Sequence, residues 1–433
     1  MVGVVTMALV GIVGQVPPAP AADAPAPRAA PGDRMAVPPP FVPGAGAAGE
    51  NGINGAGRDL SRFPPPYTAG ARQFLVQPGQ DWAHIRRELE PGDEVIFPAG
   101  FHLPQRIEGL AGTREKPIVL RSRDPIAGAI SCADFGWEFV QCKHLLVENM
   151  LFLNPTEAAI VVDGGAAPGQ APGERFRSDI VVRNCTVQGT KQRASQDGVR
   201  VRAAADVTLD ALRIEGWQDA AVEVDDVSRV MVRGLMTLPA RAKPAARGVA
   251  VLGRSSEVVV TGAAFNREIG VGVQVGSPGK DAWPVERSAV ERCLFDGPGV
   301  ALRMLNAREF TFGRATIYEP TKAVYEVPAD AGIVSKVTID KMLVTWTPGA
   351  LERFSPVPEG FAVDSITLGD NLWFSAELPT AWTVLGAPIG YRRGTQVSDV
   401  DPTLEPRTLR PKNPDAKGYG VFAGVAVAPA AGG

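Results

Sequence analysis

Two short stretches near the middle of the chain set carboxylates close together. "SQDGVRV" (195–201) carries Asp197, and "WQDAAVEVD" (217–225) carries Asp219, Glu223 and Asp225. Lys191, Arg193, Arg200, Arg202, Arg247 and Arg303 surround them in sequence. Paired carboxyls suit proton transfer, one keeping the proton that the other has lost. A base flanked by arginines suits a different step, removal of a proton beside a carboxylate that the arginines neutralise. Lys191, Arg193, Asp197 and Asp219 are the candidate catalytic residues on this basis. Arg200, Arg202, Trp217, Glu223, Arg247, Arg303 and Tyr325 are the candidate ligand-binding residues, with Trp217 offering an aromatic face. Asp219, Glu223 and Asp225 offer the oxygens that Ca2+ prefers, and calcium is the cofactor to expect if there is one.

Each of these residues also has a plainer role. Aspartates before a valine run are common turn residues. Arg200 opposite Glu223 and Arg202 opposite Asp225 make cross-strand ion pairs of about 0.2–1 kcal/mol each. A loop lysine is usually solvated, and a tryptophan at a strand start often packs a corner.

The elements that position them come from a repeat. Eight lines recur, among them "LLVENMLFL", "IVVRNCTVQ", "VTLDALRIE" and "VTIDKMLVT". Aligned, they give a first column of Val147, Val182, Leu209, Val232, Val260, Val290, Phe312 and Ile339. A second column starts Met150, Cys185, Leu212, and a third Phe152, Val187, Ile214. Period-two alternation rich in Val and Ile means strands. Self-similarity every twenty to thirty-odd residues means a solenoid. The phase break between the first two columns predicts a bend. A third short strand ("GVRV", "AVEV", "GVAV", "GVQV", "AVYEV") follows in most repeats. The fold expected is all-β, a single-stranded parallel β-helix of three sheets. Cys185 and Cys293 then stack as small buried hydrophobes, while Cys132 and Cys142 could pair if the protein is exported.

The opening coils, "PGDEVIFPAGFHLPQRIEGLAGTREKPIVLRSRDP" (91–125), resemble those of secreted right-handed parallel β-helix proteins of the pectate lyase-like superfamily, especially the alginate lyase and chondroitinase B branch. Gly92, Asp93, Gly100, Gly112, Thr113, Pro117 and Ile118 carry that resemblance. The segment 401–424 is similar to the closing segment of many such proteins, so the likeness spans about 75–424. It implies a right-handed coil and carbohydrate chemistry, but this scaffold hosts lyases, hydrolases and non-enzymes. The branch's lysine base and calcium ligands find no local motif here, so no role is carried over. The spacing "SQDG…QDAAV" resembles the polygalacturonase pattern, yet Ala220 stands where that pattern has its proton-donating aspartate. The histidines, His84, His102 and His144, fall outside the pattern as well.

The remaining chain fills in the organisation. With 433 residues, a net charge of −3 and 45% hydrophobic content, it suits a large soluble core. No Lys/Arg run offers nucleic acid a footprint. Residues 1–22 read as a signal peptide, too short in their apolar part to span a bilayer. Residues 23–70 read as a Pro/Ala/Gly-rich linker, 71–344 as the β-helix, 345–424 as last coils and a C-terminal cap, and 425–433 as a tail. Insertions at 163–177, 189–196, 239–247 and 276–287 flank the third strands, which makes that face a groove. The expected function is a secreted, periplasmic or cell-surface protein that binds an acidic polysaccharide there and cleaves it by β-elimination. A non-catalytic matrix β-helix and a polygalacturonase-like glycoside hydrolase are the alternatives.

Overall fold

The computed structural model describes Tyr67 and residues 69–123, 128–165, 175–189, 195–238, 245–267, 269–406 and 408–423. The expected signal peptide (1–22) and nearly all of the expected linker (23–70) lie outside the described residues. Among the described residues the strands form three parallel sheets of sixteen, twelve and nine strands. Each coil pairs with the next, so like residues stack. The first column runs unbroken from Val147 to Ile339 along the sixteen-stranded sheet. The third column does the same from Phe152 to Val344 along the twelve-stranded sheet. Every member of both columns is at most 2% exposed.

The predicted bend is present and has a backbone cause. Between the two sheets, Asn149, Asn184, Ala211, Gly234, Gly262, Arg292, Arg314 and Lys341 all adopt φ between 50° and 63°. One left-handed residue per coil turns the chain and throws the next side chain, Met150 through Met342, into the interior. Cys185 and Cys293 occupy that column, where burial pushes both thiols up to about 12. Cys132 and Cys142 are both unbonded. They point their sulfurs at different carbonyls, Ile130 O at 3.6 Å and Ile107 O at 3.3 Å.

The nine-stranded sheet departs from simple alternation. Two successive residues face inward in several coils, such as Ala221–Val222 and Val324–Tyr325. In the coils of Gly198, Gly248 and Gly272 the first of the pair is glycine because the third column presses against it. A Cβ on Gly248 would meet the Phe265 ring at 2.5 Å, and one on Gly272 the Phe295 ring at 2.4 Å. That contact explains the recurring "GV" at the start of these strands.

The sequence pattern suggests that the ladder fades after 344, but it continues. Strands Ile366–Leu368 and Tyr391–Arg392 extend the sixteen-stranded sheet, and Asn371–Phe374 and Gln396–Val397 extend the twelve-stranded one. Only the nine-stranded sheet stops early, at Ala323–Glu326. Aromatic residues with irregular spacing hide the continuation: Trp346, Phe354 and Trp373 pack edge to face at 5.2–5.4 Å between ring centres.

Candidate functional site

Two of the outward columns of the nine-stranded sheet frame the site. One is Glu138, Val161, Arg200, Glu223, Ala250, Gln274, Arg303 and Glu326. The other, on the far side of the kink, is Ala158, Asp197, Ala220, Arg247, Val271, Val300 and Ala323. The insertions, much of whose length lies outside the described residues, adjoin the strands of this face in chain order. Those at 189–196 and 239–247 lead into its strands, and those at 163–177 and 276–287 lead out. Lys191 and Arg193 lie outside the described residues.

Four of the coils converge on one cluster. Asp197 is 1% exposed; one of its oxygens takes Nε and Nη2 of Arg200 at 2.9 and 2.5 Å, and the other takes the backbone N–H of Ala220 at 3.1 Å. On the next strand the register slips by one residue between Trp217 and Ala220. Such a bulge re-aims a side chain, and here Asp219 turns toward Arg247, which donates to its Oδ1 at 2.6 Å. Glu223 sits between the two guanidinium groups, 3.6 Å from each. Glu157, from the preceding coil, approaches Arg200 at 4.0 Å. Sequence reasoning passed over Glu157; aligning "EAAIVV" with "QDGVRV" on Ile160 and Val199 would have placed it beside Asp197.

Burial and charge act together on the acids. Burial first, then the negative charge of Asp197, push the Glu223 carboxyl up to about 7, against the pull of Arg200 and Arg247. Asp197 is also shifted upward by burial, opposed by its hydrogen bonds from Arg200. The cluster holds four acids and two arginines, so keeping a proton on Glu223 relieves repulsion.

Several expected residues stand elsewhere. Trp217 is 1% exposed, its indole N–H donating to Arg247 O at 2.7 Å, so it packs a corner and offers no face to a ligand. Tyr325 pairs with inward Leu302 and is wholly buried, its hydroxyl bound to Ile389 O at 2.7 Å. Glu326 takes the outward place and pairs with Arg303. Arg202 pairs in register with Asp225 but turns back one coil to Asp163 at 2.7 Å. Asp225 stands with Asp226 near the end of its strand, and the three acids that offer oxygens within 4.8 Å of one another are Asp197, Asp219 and Glu223. Calcium takes six to eight oxygens. Here two guanidinium groups already occupy the space between the carboxylates and supply the positive charge, so the donor set does not fit a calcium cage.

The fold is that of a parallel β-helix with a charged cluster on the outer face of its nine-stranded sheet. No protein-family model and no curated protein matches the sequence. Solved structures similar to it include a mannuronic acid-specific polysaccharide family 6 lyase from human gut microbiota, at 13% identity over 76% of this chain and 92% of that one, TM-score 0.45. A family 6 polysaccharide lyase from Pseudopedobacter saltans matches at 11% identity over 81% and 99%, TM-score 0.46. A GH136 lacto-N-biosidase from Eubacterium ramulus matches at 9% identity over 76% and 68%, TM-score 0.47. The chemistry below rests on this chain's own residues.

Proposed function

We propose that this protein is a carbohydrate-active enzyme that holds a polysaccharide along the outer face of the nine-stranded sheet and cleaves it with Glu223 moving the proton. One observation carries the reading: Glu223 stands 3.6 Å from each of the two guanidinium groups that hold Asp197 and Asp219, where burial pushes its carboxyl up to about 7. A group with that value gives and takes protons at neutral pH. The described arginines of the face, Arg200, Arg202, Arg247 and Arg303, are each matched by a carboxylate. The balance favours Glu223 as general acid toward a glycosidic oxygen, with Asp219, about half exposed and steadied by Arg247, as the ionised partner. An oxygen of each lies within 4.8 Å of the other, closer than the roughly 6.5–9.5 Å that leaves room for an attacking water between two carboxyls. Attack by Asp219 itself fits that spacing better, with the glycosyl-enzyme bond then broken by water.

β-Elimination on an acidic polysaccharide is the second reading. It is favoured by Lys191 and Arg193, which directly precede the strand Ser195–Arg202. There Glu223 or Lys191 removes the proton next to a uronate carboxyl that the arginines neutralise. One assay separates the two. Purified protein is incubated with alginate, pectate, glycosaminoglycans and neutral glucans, scoring both reducing ends and unsaturated uronate absorbance. New reducing ends without unsaturation, with activity falling as pH rises through about 7, establish the acid role. Unsaturated ends with activity rising through the same range establish elimination. Neither product nor binding on any polymer overturns the proposal.

A further inference from the structure

The face needs an aromatic platform if it holds sugar rings, and the tryptophan expected to supply one is buried. Of the chain's seven tryptophans, Trp82, Trp137, Trp217, Trp346 and Trp373 are at most 3% exposed and Trp382 is half-buried. Trp283 is 57% exposed, in the insertion 276–287 that leads out of the groove.

One contact reaches that ring, and two constraints act on the loop that carries it. The guanidinium of Arg254 lies over one face at 3.9 Å from the ring centre. Arg254 follows the outward column of Asp163, Arg202, Asp225 and Leu252 by two residues, so the stack stands at the groove's edge. Its backbone is fixed below, its N–H donating to Asp226 Oδ1 at 2.8 Å and its carbonyl accepting from the buried Arg175. The loop is fixed by Asn306, fully buried, whose amide donates to Ser277 O at 2.7 Å and Gly279 O at 3.1 Å. Pro284 restricts the backbone of Trp283 itself. With one face under a guanidinium, the exposure left to the ring is on its other face and edges.

A large apolar ring exposed to water on an anchored loop, with a guanidinium over one face, is suited to stacking. We propose that Trp283 is a sugar-stacking subsite that extends the groove beyond the Glu223 cluster and takes one pyranose ring of the bound polysaccharide. This rests on the reading of the nine-stranded face as a polysaccharide site.

The ring reports on itself, because it is the most exposed of the seven indoles. Size-fractionated oligosaccharides of whichever polymer the enzyme binds are titrated while tryptophan emission and acrylamide quenching are followed, with calorimetry as an independent measure of binding. Ligand is expected to shift the emission and protect the quenchable component, and W283F is expected to abolish that signal while binding nearly as well. W283A is expected to raise the half-saturating concentration of long oligosaccharides about ten-fold, leaving kcat and the affinity for the shortest cleaved oligosaccharide unchanged. Tyr391→Ala, an exposed aromatic elsewhere, leaves all of these as they were. Calorimetric binding with unaltered emission and an unaffected W283A removes the subsite and leaves the groove reading standing. No binding by calorimetry at any length removes both.

Discussion

One outer column of the nine-stranded sheet is built in two different ways along its length. Its early coils contribute Asp197 and Arg247, bound into the charged cluster. Its later coils contribute Val271, Val300 and Ala323, a small apolar patch separate from the main core. The strands pair in parallel in both halves, and the one-residue slip before Ala220 belongs to the early half alone. The solenoid therefore tolerates valine at these positions and does not require charge. Half-buried ions cost desolvation that an apolar residue avoids, so the early coils carry a chemical load that the fold alone does not explain.

The contrast can be broken most severely through activity. Glu223→Gln keeps the shape and removes the titrating proton, and is expected to lower kcat by about 10²–10⁴ in the polymer-cleavage assay. A variant retaining more than a tenth of the rate would return the cluster to a structural role. Next is the pairing inside the cluster. Arg247→Met strips Asp219 and Glu223 of their shared cation and should cost about 1–3 kcal/mol in urea unfolding. It should also move the pH limb of activity upward, since the positive charge that lowers Glu223 is gone.

The third test uses pH and stability. The folded-state value of Glu223, about 7, lies above its ordinary 4.5, so the native state binds the extra proton between the two. Its contribution to stability is accordingly full below about 4.5 and is lost as pH rises through about 7. Unfolding midpoints at pH 5 and pH 8 should differ by a term of about 1–3 kcal/mol that Glu223→Gln abolishes. An equal pH slope in that variant would assign the effect to other groups. Smallest is the apolar half: Val300→Ala is expected to cost about 1 kcal/mol in the same measurement and to leave turnover unchanged. A marked loss of turnover would mean that the patch belongs to the working surface. Chelation by EDTA is likewise expected to leave activity where it was, because Arg200 and Arg247 bind Asp197 and Asp219 directly.

How far the sequence could be read follows from what each residue repeats. Val147, Val182 and their counterparts recur in phase, so sheet, bend and interior were legible without coordinates. The outward direction of Arg200 and Glu223 was legible too, because they alternate with buried valines. Tyr325 was misplaced because alternation was assumed through "AVYEV", whereas the kink sends Val324 and Tyr325 inward in succession. Trp217 was misplaced because a strand's first residue sits at a corner, where periodicity carries no direction. The partner choices of Arg202 and Asp219 depend on side-chain reach and on a one-residue bulge, and neither leaves a mark on a hydrophobic pattern.

The left-handed corners have a further consequence. Arg292, Arg314 and Lys341 hold a conformation that L-residues with a Cβ adopt at a penalty of roughly 1–2 kcal/mol each, whereas Gly234 and Gly262 hold it freely. Every such corner works as a small cocked spring, kept bent by the coils stacked on either side. A coil freed of its neighbours would straighten, so loosening that begins at one end should travel coil by coil, and the chain behaves less like a block than like a zipper.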